Sequence, residues 1–567
     1  MLVGVMSPTL AIKRHRRGNR VYRAEYRNRR VNGKVKSEFI RYLGVEEHGN
    51  TVKEPVKTLD KVSNTGSTRA GDVDLLWAIA QDLSIPGIID RLTPSQSSIS
   101  PGKVLTAWAI NRVIDPESVT QLESWIRTTD LPRLSNIPDD RWTKDLFLDS
   151  LDAICFDDRT TQELKDLTRD MDREIFLSWR EKHPLSIPDH VAYDLTTVLF
   201  FGTSCPLAEF GYNPNHENRR QINIALMVSK EDYQPEYHAV FEGSRSGSTT
   251  VRNLLAALPA PENGESPGTI IWDRGNISAK NVKEVELTTW NLISGIPKSV
   301  KQAMLIMENA DIKEKPQNLV RKTKVANIYA TLVHGNIYGK TRNVAVYVNP
   351  LKALNEREDR NSELSRIGKE LDSLSGKCID RDESGIHAEI SHIVGEWNQY
   401  MDVRINRNPD RKKRIEWKYH SHAITASERL DGRSAILCTD PSVSAEEIVN
   451  MYLEKDFVEK VFRTMKTQEE IVPVRHRLER RIRAYVFVMV TAYRLIAYLV
   501  FMMRESGEKE PWESVSRMLD RLSRVERIEI TFGKETRTWY LNLRPDTSEL
   551  LKKIGFGKLF NENTGKK

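Results

Sequence analysis

Apolar positions along this chain change their period several times. Between 71 and 183 they recur near every 3.6 residues. Leu75 to Ile85, Pro101 to Val113, Ser118 to Ile126, Lys144 to Phe156 and Thr160 to Lys182 therefore predict the helices of a small helical domain. From 186 to 308 the pattern becomes strand, strand, strand, helix, strand, helix, strand, helix. The run His190 to Phe201 is rich in β-branched and aromatic residues, with no Pro or Gly before Gly202, and predicts a strand buried on both faces. Three adjacent strands followed by alternating helices suit a mixed sheet in an α/β domain. The segment 309–429 interrupts the alternation with the strand Val344 to Val348, a charged stretch from Lys352 to Lys377, and Trp397 and Trp417, and predicts an inserted domain. Leu430 to Thr439 returns the chain to the core, which continues to about 510. The tail, 511–567, predicts a helix, strands at Val525 to Phe532 and Arg537 to Leu543, and a last short helix.

Charge changes the picture at one end. Residues 1–50 hold twelve Lys or Arg against four Glu, a net +8, while the whole chain of 567 residues is +7. The basic excess is therefore an N-terminal module, as expected for nucleic-acid binding. Arg20 to Tyr26 and Lys34 to Tyr42 alternate around Asn32-Gly33, the dipeptide of a tight hairpin. Such a ribbon either enters a groove or rides the phosphates, with Arg16, Arg17, Arg20 and Arg23 as its expected DNA contacts. Residues 48–70, with scattered Ser, Thr and Gly, read as a linker. The four cysteines, Cys155, Cys205, Cys378 and Cys438, lie far apart with no CxxC pair, which points to reduced thiols and away from a disulfide framework or zinc site.

Three acids carry candidate chemistry. Asp194 lies inside the first buried strand run, where an uncompensated carboxylate is costly. Asp273 ends the apolar run Gly268 to Trp272, ahead of Arg274-Gly275-Asn276 and a predicted helix from Ser278, a position where ligands collect in open α/β sheets. Glu459 lies in a predicted helix. At roughly 100° per residue, Lys455, Glu459 and Lys466 fall about 60°, 20° and 40° from Tyr452, so the four form one row, with Leu453, Phe457, Val458, Val461 and Met465 opposite. Two divalent cations stabilise the attacking and leaving oxygens of an in-line phosphoryl displacement. Magnesium needs only a few carboxylates, because it keeps several waters. Asp194, Asp273 and Glu459 are the expected ligands.

The order Asp, Asp, Glu, with Tyr452-x2-Lys455-x3-Glu459-x6-Lys466, resembles the signature of the insertion-sequence-four superfamily of DDE transposases, in the branch with a long insertion before the Glu. Lys455 stands where that pattern has Arg, which loses the planar two-pronged phosphate donor. Further similarity lies in Gly211-Tyr212-Asn213-Pro214, Arg220-Gln221-Ile222-Asn223, Glu242-Gly243-Ser244, Ser248-Thr249-Thr250, Phe462 to Lys466, Val472 to Arg477 and Arg481-Ile482-Arg483. The resemblance implies a ribonuclease-H-like catalytic core (186–308 and 430–510) and an insertion domain (309–429) over the active site, where the basic run Arg404 to Arg414 helps handle the cleaved end. It also implies a helical domain (71–183) that binds DNA ends.

The implied activity is metal-dependent DNA cleavage and strand transfer by Asp194, Asp273 and Glu459, with two Mg2+ per site and Mn2+ able to substitute. Tyr452, Lys455, Arg463, Lys466 and Arg274 would hold phosphates. The implied partners are terminal inverted repeats, target DNA and a second copy of the chain on DNA. The other readings weighed are a catalytically dead DNA-binding repressor and a nuclease without strand transfer. Ala484 to Met503 is apolar over the roughly 20 residues of a membrane span, but Arg494 at its centre favours a buried helix and no membrane. No secretion signal precedes the basic N-terminus, so a cytoplasmic, nucleoid-associated protein is expected.

Overall fold

A computed structural model describes residues 9–17, 20–31, 34–47, 51–53, 62–94, 97–158, 160–185, 189–202, 204–211, 213, 217–258, 268–312, 315–323, 325–378, 382–406, 414–467, 476–532 and 535–560. The chain divides into two compact units, one of 1–73, 128–130 and 520–567, the other of 74–127 and 131–519.

The first unit opens on β1 (Thr9–Arg17), β2 (Arg20–Val31), β3 (Lys34–Glu47) and β4 (Thr51–Lys53), paired antiparallel in chain order. Val31 aligns with Lys34 across the expected hairpin; Asn32 and Gly33 themselves lie outside the described residues. The expected two-stranded ribbon is thus the centre of a four-stranded sheet. β5 (Val62–Arg69) follows, within the segment expected as a linker. Its composition carries too little apolar signal to announce a strand, and its partner comes from the far end of the chain.

Helices α1 (Gly71–Asp82), α2 (Ile85–Leu92), α3 (Pro101–Ile114), α4 (Leu122–Arg127), α5 (Leu131–Ser135), α6 (Lys144–Ile154) and α7 (Thr168–Lys182) fill the region expected to be helical. A short hairpin of β6 (Cys155–Asp157) and β7 (Leu164–Asp166) separates the last two. The helix expected from Thr160 therefore starts only at Thr168. The Asp158 carboxylate accepts the backbone N–H groups of Thr160 and Thr161, which turns the chain back on itself before a helix can form.

The core follows as β8 (Asp189–Leu199), β9 (Glu209–Phe210), β10 (Arg220–Ser229), β11 (Pro235–Glu242), α8 (Gly247–Leu255), β12 (Gly268–Trp272), α9 (Ala279–Glu286), β13 (Asn291–Ile296) and α10 (Lys301–Asn309). The segment expected as an insertion supplies β14 (Leu319–Lys322), β15 (Asn327–Ile337), β16 (Lys340–Val348), α11 (Pro350–Lys377), α12 (Glu383–Val394), β17 (Met401–Ile405), β18 (Ile415–Tyr419) and α13 (Ser421–Glu428). Then come β19 (Arg433–Cys438), α14 (Ala445–Glu454), α15 (Asp456–Thr467), α16 (Glu479–Glu505) and α17 (Pro511–Leu522).

Ten strands among the described residues form one mixed sheet, in the order β11-β10-β8-β12-β13-β19-β16-β15-β14, with β9 beside β10. β10 runs antiparallel to both β8 and β11, whereas β8, β12 and β13 run parallel. β14 to β16 join this sheet through β19, because Val344 and Val346 fill the core on one face while Ala345 and Tyr347 fill it on the other. The rest of the inserted segment has its own core of Leu364, Ile367, Leu371, Val394 and Met401. The apolar helix α16 is buried along 89% of its most apolar stretch. Arg494 lies fully inside, donating to Asp172 (3.1 Å), to the Pro235 carbonyl (2.8 Å) and to Gln234 (3.2 Å).

The first unit closes with β20 (Glu526–Phe532), β21 (Glu535–Leu541) and α18 (Pro545–Lys553); β20 lies between β21 and β5.

Candidate active site

β8 and β12 are in parallel register, Ile271 beside Ala192 and Trp272 beside Tyr193. Alternation sends Tyr193 and Trp272 into one core, with Val191 and Ile270. The next residue on each chain, Asp194 or Asp273, turns to the opposite face. Neighbouring strands lie about 4.8 Å apart, so the two acids stand side by side.

That face is covered by α14, whose Ile448 and Val449 pack with Ile271, Ile293 and Ile436. Each fully buried side chain of this kind contributes about 1.5–3 kcal/mol. α14 begins in a reciprocal cap: Ser444 accepts the Glu447 N–H, and the Glu447 carboxylate accepts the Ser444 N–H. α15 packs on β8, β10 and α16, buries Val458, Val461 and Met465, and leaves Glu459 and Arg463 exposed.

The expectation of one continuous helix from Tyr452 to Lys466 is corrected here. Helical pairing breaks at Lys455, where the Lys455 N–H bonds to Tyr452 O (3.4 Å) and the Val458 N–H to Lys455 O (3.0 Å). The two halves answer different demands. α14 must hold Tyr452 over β12 and β13, while α15 must lay its apolar face on β8 and β10. Tyr452 and Lys455 therefore belong to the first axis, and Glu459 and Lys466 to the second.

Tyr452 donates its hydroxyl to Asp273 Oδ1 (2.7 Å). Gly295 on β13 makes room for it, because a Cβ there would lie 2.3 Å from the hydroxyl oxygen. Lys455 Nζ lies 3.8 Å from the same carboxylate oxygen and 5.3 Å from the centre of the Tyr452 ring. Tyr452 and Lys455, expected on phosphates, thus both face a carboxylate. Burial works to raise Asp273, but the Lys455 ammonium, the Tyr452 hydroxyl and the Arg274 side hold it below the ordinary carboxylate range. Asp194 goes the other way. Burial, opposed by the Leu195 N–H and Lys455 and reinforced by the charges of Asp273 and Glu459, pushes it up to about 6. Burial likewise lowers Lys466, against the pull of Asp194. The structure therefore brings Asp194, Asp273, Glu459, Tyr452, Lys455 and Lys466 within one electrostatic neighbourhood.

Among the described residues no three His, Cys, Asp or Glu side chains are gathered tightly enough to hold a metal ion as they stand. The donor chemistry nonetheless fits a hard divalent cation. Burial, reinforced by the charges of Asp273 and Glu459, makes the ionised form of Asp194 costly, and a cation is the species that removes this penalty.

Other expected contacts fall elsewhere. Arg274 is exposed beside Asp273. Arg16 is exposed on β1, and Arg23 on β2 lies 3.5 Å from Glu46; the side chains of Arg17 and Arg20 lie outside the described residues. So do 407–413, 472–475, Tyr212 and Pro214. Gln221 and Asn223 donate to the Gly243 carbonyl (2.8 and 3.3 Å), and Asn223 also to Arg245 O (2.9 Å), so these residues shape the exit of β11. Gly295 and the Ser444 cap escaped notice in the sequence. A glycine inside the apolar run Asn291 to Ile296 was the available signal for a close approach.

No family profile and no curated protein matches the sequence. Among solved structures, the piggyBac transposase synaptic complex with hairpin DNA aligns over 89% of this chain and 89% of its own, at 11% identity and a TM-score of 0.35.

Proposed function

We propose that this chain is a DDE transposase of the insertion-sequence-four kind, which cuts transposon ends and joins them to target DNA by metal-dependent phosphoryl transfer. One observation carries the reading. Asp194 and Asp273 sit one step past the paired Tyr193 and Trp272 on adjacent parallel strands, with α14 packed on β12 and the Glu459-bearing α15 packed on β8. The order β11-β10-β8-β12-β13, three antiparallel strands then two parallel ones joined through α8 and α9, supports a ribonuclease-H-like core.

On this reading Asp194, Asp273 and Glu459 hold Mg2+ or Mn2+, two ions per site, which would supply charge stabilisation to the attacking and leaving oxygens. Tyr452 keeps Asp273 oriented. Lys455 and Lys466 neutralise the acids until substrate and metal arrive and then turn to phosphates, as does exposed Arg463. The basic N-terminal sheet contributes sequence-independent phosphate contacts. Both ends must be cut together, so a dimer on DNA is expected, in the cytoplasm.

The test is incubation with DNA carrying the inverted repeats that flank the coding sequence, with Mg2+, scored for nicked and joined products. Alanine at Asp194, Asp273 or Glu459 should abolish both products and leave DNA binding, which rests mainly on basic side chains. Full cleavage by any of the three variants would remove that residue from the site. Nicking without joined product would favour a simple nuclease.

A further inference from the structure

A second feature adjoins the acids. A cleft of about 190 Å3 opens against Asp273 and Tyr452 and runs over the ends of β13, β19 and β16. The sheet order β8-β12-β13-β19-β16 puts it on the side of Asp273 away from Asp194. At about 4.8 Å per strand, its middle lies roughly 5–10 Å along the sheet edge from β12. Three cations line it: Arg274 after β12, Lys298 after β13, and Lys352 in the first turn of α11.

One acid serves both lysines. Glu356 lies 3.2 Å from Lys298 Nζ and 3.7 Å from Lys352 Nζ, and it also accepts the Gly432 N–H (2.9 Å). Lys298 donates further to Leu430 O (3.0 Å). The Arg274 side chain is exposed. An ammonium has three donors, so each lysine keeps capacity for an incoming oxyanion, and the cleft stays net positive. Both lysines are accessible, with side chains 38% and 41% exposed.

We propose that this cleft grips the substrate strand at phosphates just beyond the one being cut, on the side away from Asp194. The spacing suits it: phosphates along a strand recur at about 3.4 Å of helix axis, so the second or third beyond a scissile phosphate at Asp194 and Asp273 reaches the cleft. Glu356 holds the two ammonium groups apart and aimed until the strand enters. The inference rests on the proposed cleavage site, and it adds a polarity to it: the strand crosses the sheet edge from β8 toward β16.

The test is binding of a fluorescein-labelled oligothymidylate to the full chain by anisotropy, in EDTA, over a range of salt. Each lost phosphate contact on a single strand removes about 0.7 from the log–log salt slope. Lys298→Ala with Lys352→Ala should flatten the slope by roughly 1.4 and weaken binding several-fold at low salt. Glu356→Gln should tighten binding, and Lys369→Ala, an exposed lysine elsewhere on α11, should leave it unchanged. A double variant that melts like the wild type and keeps its slope would overturn the cleft, whatever the acids do. A flattened slope in a protein that cuts no DNA would sustain the cleft as a phosphate site and sink the enzymatic reading instead.

Discussion

Asp194 is a carboxylate set into a sheet surface beside two others, and burial with their charges brings it to about 6. Its ordinary value is 3.8. Between those two values the folded protein keeps a proton that the unfolded chain has released. Stability therefore falls as pH rises through that window, and the loss is complete above it. Asp194→Asn removes the charge, so it should be more stable than the wild type by roughly 1–3 kcal/mol at pH 7, with the gain gone near pH 4. Urea unfolding at both pH values measures this, and equal stability at pH 7 would discard the electrostatic account. Lys466 is the cation facing Asp194 from α15. Lys466→Ala should raise the Asp194 value further and shift the acid limb of cleavage to higher pH by up to about one unit. It should also slow strand transfer, because a misplaced end loses its orientation for in-line attack. A pH–rate profile with the limb unmoved would place Lys466 outside the site.

At the scale of elements, the site depends on a helix broken in two and a strand thinned by a glycine. β13 admits Tyr452 only because residue 295 has no side chain. Gly295→Ala should push the hydroxyl off Asp273 and lose a charge-assisted hydrogen bond, at a cost of about 1.5–3 kcal/mol, with reduced cleavage. In a Tyr452→Ala background the same change should cost far less, because nothing remains to collide with. Equal costs in the two backgrounds would show that Gly295 serves the strand and not the tyrosine. The break at Lys455 explains why helical-wheel angles taken along a single axis do not describe how Tyr452 and Lys455 are placed relative to Glu459 and Lys466.

Across the second unit, α16 is the spine. Its Arg494 binds Asp172 on α7 and the β11 end, and Asp172 also pairs with His238. Elsewhere on α7, Arg180 bridges Asp189 at the start of β8, Asp232 and Glu236. These buried pairs lock the helical region to the sheet edge that leads into Asp194. Arg494→Leu leaves a buried carboxylate short of its cation and should destabilise the unit by about 3–5 kcal/mol. Thermal unfolding checks it, and a change under about 1 kcal/mol would mean that His238 alone satisfies Asp172.

Sequence alone determined the alternation of β8 to α10, because buried strands and amphipathic helices write their periods into consecutive residues. It also singled out Asp194 and Asp273, because an acid inside or ending an apolar run is costly and therefore conspicuous. The Arg494 helix was legible as buried for the same reason. What local pattern cannot carry is who pairs with whom. β5 drew its partner from the far end of the chain, β14 to β16 joined the central sheet through β19, and the Asp158 turn cut a helix short through side-chain hydrogen bonds. The register that sets Asp194 beside Asp273, the tyrosine resting on Gly295, and the lysines gathered around Glu356 all join residues far apart in the chain. Each exists only once long-range packing has been satisfied, and that was decided by the tertiary structure.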